Sequence, residues 1–314
     1  MLEAYACLLV RLKNWEAIVS SIEVLNESSV ESKPVSKVYK IRLLVFFLVS
    51  FVILLYPVFA PMVNRDFFVV DVLFQPVKCA SYKLDWNGRQ AQEVTFTNSS
   101  GNRVHALYFP SPKATRVILF HHGQYGNIKI HLPSCDYLLQ PENSLLIYDY
   151  AGFGKSEGSP SLKGMVDDSR AAYDYLVKQL KIDPKQVIQC GGSLGTGPAA
   201  LIAAEQPCAA LILLSPYTSI KTEAREIFPF LRLYPDFLIT DYDFDSIANV
   251  SRLKVPVLIV HGTSDICISV HHSDDLFAAA HAPKSFLRVP GGGHQGAYTK
   301  DINEKILSFI RELN

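Results

Sequence analysis

Apolar positions fall along this chain in three different rhythms. In residues 1–25, Leu8, Leu12, Trp15, Val19 and Ile22 recur at helical spacing, which predicts an amphipathic helix. A polar linker follows around Asn26, Glu27, Ser28 and Ser29 up to Pro34. Residues 43–64, LLVFFLVSFVILLYPVFAPMVN, are uncharged and almost wholly apolar. As a helix these 22 residues would be about 33 Å long, enough to cross the hydrocarbon core of a bilayer. Pro57 and Pro61 fall in the last third of the run, so the predicted span begins earlier and covers residues 39–64. A core helix would show a polar stripe, and here only Ser50 and Tyr56 interrupt the run. Cleavage after Ala60 would leave Pro61 at the new terminus, behind an n-region too long for an ordinary signal peptide. The pattern therefore predicts an uncleaved membrane anchor.

The third rhythm fills residues 65–314, where short apolar runs alternate with helical stretches. EVTFT (93–97), RVHALYF closed by Pro110, RVILFHH (116–122), SLLIYDY (144–150), QVIQC (186–190), ALILLS (210–215), VPVLIVHG (255–262) and FLRVPG (286–291) read as strands. Helical patterns occupy 162–181, 197–206, 274–281 and 301–313. Strands separated by helix-length segments predict βαβ units and a mainly parallel sheet with helices on both faces. In such sheets ligands gather beyond the carboxyl ends of the strands. The domain division is then a segment and linker at 1–38, an anchor at 39–64, and one α/β domain at 65–314.

Composition and charge narrow the function. The chain has 314 residues, 49% hydrophobic and 19% charged, which suits a large core and excludes a mostly disordered chain. Thirty basic residues balance thirty acidic ones, so the electrostatic footprint of a nucleic-acid binder is missing. Six scattered cysteines contain no C-x-x-C pair, which argues against a disulfide scaffold or zinc ribbon. Lys33, Lys37, Lys40 and Arg42 precede the apolar run, whereas Arg65 and Lys78 follow it. The positive-inside tendency puts the N-terminus in the cytoplasm and the large domain on the opposite side.

After QVIQC comes Gly191-Gly192-Ser193-Leu194-Gly195, then a helical pattern. A serine on a tight strand-to-helix turn needs small neighbours, and the helix start behind it offers free N–H groups to an oxyanion. A serine there can also simply cap the helix. A nucleophilic serine needs a base, and the base an orienting carboxylate. Asp265 stands in the loop after the strand VPVLIVHG, and His294 follows FLRVPGGG. Asp241, Asp243 and Asp245 follow no buried strand. Asp274 and Asp275 read as a helix start, His271 and His272 follow no strand, and His281 reads as helical. RVILF runs into His121-His122-Gly123-Gln124-Tyr125-Gly126-Asn127, a glycine-containing turn that can present the Gln124 N–H. No third ligand at useful spacing supports a metal on the two histidines.

From about residue 90 onward the chain resembles the α/β-hydrolase superfamily, and within it membrane-associated α/β-hydrolase-domain (ABHD) serine hydrolases and their bacterial relatives. The matching stretches are HHGQYGN (121–127), DYAGFGKSEGSPS (149–161), GGSLG (191–195), SPYTS (215–219), HGTSD (261–265) and GGGHQG (291–296). The resemblance implies an α/β-hydrolase fold with Ser193, Asp265 and His294 as catalytic triad. It also implies an oxyanion hole from the Gln124 and Leu194 amides. Gln124 stands where relatives often have Asn, Ala151 where they often have Arg, and Thr196 replaces a common glycine. Gly154-Lys155-Ser156 imitates the end of a phosphate-binding loop, but Asp149 occupies the required earlier glycine position. His131 and Asp136 imitate an acyltransferase H-x-x-x-x-D pair without its supporting motifs.

The expected activity is hydrolysis of carboxylic esters or thioesters, on a small-molecule or lipid acyl substrate. It requires no metal or organic cofactor and no nucleic acid, and its membrane partner is reached through residues 39–64. Alternatives from the residues are a serine peptidase or amidase, acyl transfer to another acceptor, and an inactive membrane-tethered binding module. Phe228, Phe230, Tyr234, Phe237, Tyr242 and Phe244 belong either to a packed connection or to a cap over an acyl pocket.

Overall fold

The computed structural model describes residues 44–47, 73–240, 242, 244–294 and 299–313. Residues 44–47 form one helical turn with exposed side chains. The rest of the predicted anchor at 39–64, and the predicted helix in 1–25, lie outside the described residues. Among the described residues no helix is long and apolar enough to cross a membrane.

The α/β unit is built on eight strands: β1 (Gln92–Thr97), β2 (Arg103–Phe109), β3 (Arg116–His121), β4 (Asn143–Tyr148), β5 (Val187–Gly192), β6 (Ala210–Leu214), β7 (Val257–Gly262) and β8 (Lys284–Val289). Their spatial order is β8-β7-β6-β5-β3-β4-β2-β1. Pairs β1–β2 and β2–β4 are antiparallel, and the remainder of the sheet is parallel. The α-helices are α1 (Ile128–Cys135), α2 (Leu162–Asp174), α3 (Thr196–Glu205), α4 (Ile220–Ile227), α5 (Ser246–Ser251), α6 (His271–Ala279) and α7 (Lys300–Arg311), with a further turn at Asp236–Ile239.

The unbroken apolar runs are explained by burial on both faces. In β3, Ile118 and Phe120 join a core with Ile128 and Leu132 of α1 and Ile302, Ile306 and Ile310 of α7, whereas Val117 and Leu119 pack with Met165, Val166 and Ala172 of α2. Residues two apart on a strand share a face, so both layers need apolar residues and no polar alternation survives. Helix α7 repeats its buried isoleucines at i, i+4 and i+8, and Thr299 caps it by accepting from the Ile302 N–H. Helices α4 and α5 lie outside the sequence pattern. Both are short, and each buries a single apolar residue, Ile220 in α4 and Val250 in α5, so neither carries an apolar stripe.

Strand register brings the loops of interest to one edge. Gly192 pairs with Leu214, Leu214 with Val260, and Gly262 with Val289. The four parallel strands β5 to β8 therefore end almost level, and the chain leaves each toward the same rim.

Candidate active site

Ser193 is the first residue beyond β5 and has φ 52°. That left-handed conformation costs a residue with a Cβ on the order of 1 kcal/mol or more, and it lifts the hydroxyl out of the strand line. The flanking glycines are required by space. A Cβ on Gly191 would run into the Gly195 carbonyl, and one on Gly195 would run into the His121 carbonyl. One tight turn (Ser193–Gly195) then leads into α3, whose N-cap position is Gly195 without a side-chain cap. Ser193 thus does not cap α3. Its Oγ lies 2.9 Å from His294 Nε2, and His294 Nδ1 lies 2.7 Å from Asp265 Oδ2.

Asp265 is held from all sides. Its Oδ1 accepts the Cys267 and Ile268 N–H groups at 2.8 and 3.0 Å, and its side chain is fully buried. Oδ2 lies 3.2 Å from His261 Nε2. Burial resists ionisation here, but hydrogen bonds from His261 and His294, the His294 charge and the Ile268 amide overcome it. They hold the carboxyl far below its ordinary range. Asp265 is therefore a carboxylate at neutral pH, able to fix His294 with Nδ1 protonated and Nε2 free to accept the serine proton.

His261 is the supporting residue that sequence reasoning overlooked. It is buried, with Nδ1 2.6 Å from Ser273 Oγ and Nε2 3.0 Å from the Ile268 carbonyl. The available signal was a polar residue at the end of an otherwise apolar buried strand. A second overlooked position is Ser215, buried directly after β6 at φ 50°, with Oγ 3.5 Å from the His294 carbonyl.

The loop after β3 lies against Ser193. A Cβ on Gly123 would stand at ordinary contact, 3.5 Å, from Ser193 Cβ and at a tight 3.3 Å from His131 Cε1, so a side chain there asks the His131 ring to give by a few tenths of an ångström. The expected turning role falls instead to Gly126, at φ 87°. Gln75 N–H donates to the Gln124 carbonyl at 3.0 Å, and Val77 N–H to Gly126 at 2.9 Å. Gln124 thus sits in a braced loop beside Ser193, while Leu194 lies in the first helical turn, where N–H groups have no intrahelical acceptor.

His121 and His122 have internal duties. His121 bridges Tyr148 Oη (2.7 Å) and Gln189 Oε1 (2.9 Å), and burial pushes it down to about 4. Burial also pushes His122 down to about 3, its Nδ1 meeting the Gly123 carbonyl at 2.7 Å.

The imitation motifs dissolve in the same way. Gly154 packs its backbone on Asp149 and Tyr82, Lys155 pairs with Glu93, and Ser156 Oγ donates to the Asp149 carbonyl at 2.6 Å. His131 meets the Tyr125 carbonyl, whereas Asp136 accepts from Trp86 and Asn87. Among the rival groups, Asp245 caps α5 through the Ala248 N–H, and Asp241 and Asp243 lie outside the described residues. His281 is a correction: α6 ends at Ala279, so this histidine stands in the following loop. The aromatic segment divides. Phe244 is buried and stacks edge-on with Tyr242, while Leu233 (86% exposed) and Phe237 (64%) face solvent.

Comparison with known proteins agrees with this architecture. A family model described as "Serine aminopeptidase, S33" matches residues 112–246. The uncharacterized protein YfhR of Salmonella typhimurium is 32% identical over 245 residues, covering 71% of this chain and 82% of that protein. Human alpha/beta hydrolase domain-containing protein 17B is 35% identical over 229 residues, covering 68% and 74% respectively. Among solved structures, a Pyrococcus furiosus esterase superposes with TM-score 0.63 at 14% identity, over 76% of this chain and 99% of the esterase. An acetyl xylan esterase from Paenibacillus gives 0.62 at 18% identity, over 74% of this chain and 87% of that one. Sheet order, the turn at Ser193 and these relatives agree: the chain belongs to the α/β-hydrolase superfamily, alongside the ABHD proteins and their bacterial relatives.

Proposed function

We propose that this chain is a membrane-anchored serine hydrolase that cleaves carboxylic esters or thioesters of apolar acyl groups. The observation that carries the reading is the unbroken relay from Ser193 Oγ through His294 to Asp265, at 2.9 and 2.7 Å. Ser193 Oγ attacks the carbonyl carbon while His294 Nε2 takes its proton, and Asp265 stabilises the imidazolium. The Gln124 and Leu194 amides receive the oxyanion. Collapse expels the alcohol or thiol with the proton from His294, leaving an acyl-serine. Water then attacks the acyl group, His294 takes the water proton, and Ser193 is restored. Every step uses groups of this chain and water.

Ile266, 90% exposed and next in the chain to Asp265, offers an apolar surface beside the relay and favours an apolar acyl group. The uncharged run at 43–64 supplies the proposed anchor at 39–64, with the N-terminus cytoplasmic and the hydrolase domain on the opposite side. Full-length protein is expected to resist alkaline extraction from membranes, and deletion of 39–64 to release it. Release of the intact chain refutes the anchor.

The decisive experiment is Ser193→Ala with p-nitrophenyl acyl esters of varied chain length. We expect kcat to fall roughly 10⁴-fold or more and fluorophosphonate labelling to vanish. An unchanged esterase rate refutes the assignment. A second reading, an aminopeptidase, is favoured by the description of the matching family model. Faster turnover of amino-acid anilides than of acyl esters would select it.

A further inference from the structure

Three successive carbonyls of the loop after β3 are each held by a different donor. Tyr150 Oη donates to the His122 carbonyl at 3.0 Å, and Gln75 N–H donates to the Gln124 carbonyl at 3.0 Å. Between them, the Gly123 carbonyl meets His122 Nδ1 at 2.7 Å. A carbonyl can only accept, so Nδ1 carries the proton of this bond. The Gln124 N–H, in contrast, finds no acceptor among the described residues.

One peptide unit joins the last two facts. The bond between Gly123 and Gln124 is trans, so its C=O and N–H point in opposite directions. His122 is fully buried, so a carbonyl drawn to its ring turns the Gln124 N–H away from the interior. Glycine resists rotation of the adjoining peptide least of all residues, and without the imidazole this unit is free to flip. The ring itself is fixed: it stacks on His131 at 4.9 Å and lies against Tyr150 at 4.3 Å and Phe153 at 5.3 Å. Burial keeps it neutral down to about 3, so it holds a single proton, the one on Nδ1. Its Nε2 has no hydrogen-bond partner among the described residues, a cost that an apolar ring would avoid. What a histidine adds at this position is the Nδ1 donor.

We infer that His122 is a positioning residue of the oxyanion hole: its Nδ1–H fixes the Gly123–Gln124 peptide so that the Gln124 N–H is presented to the oxyanion. This role rests on the hydrolase reading of Ser193 and deepens it. His122 touches no substrate and acts only through the peptide. Its loss is therefore felt where charge develops on the carbonyl oxygen, in the transition state more than in the bound ester, and so in kcat more than in KM.

The test compares His122→Phe and His122→Asn in the full-length protein, with p-nitrophenyl butyrate as substrate and thermal unfolding to establish folding. Phenylalanine keeps the ring and its stacking but has no donor. Asparagine leaves a void, yet its amide nitrogen stands close to the former Nδ1 and donates to the same carbonyl. We expect kcat of His122→Phe to fall about 10²-fold with KM within about threefold of the parent. Its affinity for a trifluoromethyl ketone, which forms an oxyanion on Ser193, should fall in parallel. His122→Asn should stay within about tenfold of the parent kcat. An asparagine variant no faster than the phenylalanine variant, as packing alone would give, overturns the inference, and so does a phenylalanine variant at the parent kcat. A parent chain without Ser193-dependent turnover strikes the hydrolase reading itself, and this role with it. ¹⁵N NMR of histidine-labelled parent protein reads the ring directly, with His122 protonated on Nδ1 and unchanged between about pH 5 and 8. An Nε2-protonated or titrating His122 there also overturns the inference.

Discussion

Replacing Asp265 by Asn changes one atom, and the structure dictates which way the new amide must point. Oδ1 of Asp265 accepts two backbone N–H groups, from Cys267 at 2.8 Å and Ile268 at 3.0 Å. An asparagine placing its NH₂ there would oppose two donors with a donor, so its oxygen must keep that position. The NH₂ then occupies the Oδ2 position, 2.7 Å from His294 Nδ1. To accept from it, Nδ1 must lose its hydrogen, which moves the ring proton to Nε2. Nε2–H now points at Ser193 Oγ, 2.9 Å away, as a donor, and the serine has no base. A wrong-tautomer triad of this kind loses roughly 10⁴-fold in kcat, or about 5.4 kcal/mol of barrier. The assay is kcat and KM on a p-nitrophenyl acyl ester, with thermal unfolding to establish that the variant folds. We expect KM to change little and kcat to collapse. A folded Asp265→Asn enzyme within about tenfold of the parent kcat refutes the base–orienter reasoning.

Other expectations follow from specific contacts. Gly195→Ala should destabilise by on the order of 3 kcal/mol, read by denaturant unfolding, because the new methyl meets backbone carbonyls of His121 and His122 that cannot step aside. Gly123→Ala should lower kcat by less than about tenfold, because the methyl meets Ser193 at ordinary contact and asks only a few tenths of an ångström of the His131 ring, and a loss of about 10²-fold or more would refute that reading of the loop. Stability should decline as pH falls from 6.5 to 4. The unfolded chain protonates His121 and His122 at their ordinary value, while burial keeps them neutral in the fold until about 4 and 3. Asp168 opposes that decline. Burial raises it to about 6 despite bonds from the Ala151 and Asn98 N–H groups, so the folded form takes a proton first as pH drops from 6 to 4. Asp168→Asn should therefore steepen the acid loss by about 3 kcal/mol, measured as unfolding free energy against pH.

What could be read from the sequence was whatever a local pattern encodes. The buried strands announce themselves because both faces of β3 and β5 to β7 are covered, which forces unbroken apolar runs. Ser193, Asp265 and His294 could be singled out by their places after such runs, since a parallel sheet delivers strand ends to one rim whatever the distance along the chain. Spatial agreement among three parts of the chain could not be read that way. Gly123 illustrates the difference: its sequence setting suggests a turn, but the neighbours it packs against are His131 on α1 and Ser193, which comes seventy positions later. His261 shows it again, since its value depends on Asp265 in the next turn and Ser273 on α6.

The site therefore consists of two kinds of residue with different legibility. The groups proposed to meet the substrate stand at strand ends, where topology constrains them and sequence order betrays them. Groups that hold those residues in place need only reach them through space, so buried polar side chains on any nearby element can serve. Asp265 joins the two kinds. It stays ionised in a fully buried position only because donors from His261, His294 and two backbone amides converge on its two oxygens. Remove those donors and burial would favour the neutral acid, which could no longer charge-stabilise His294. The support of the carboxylate is thus as much a condition for the relay as the serine it serves.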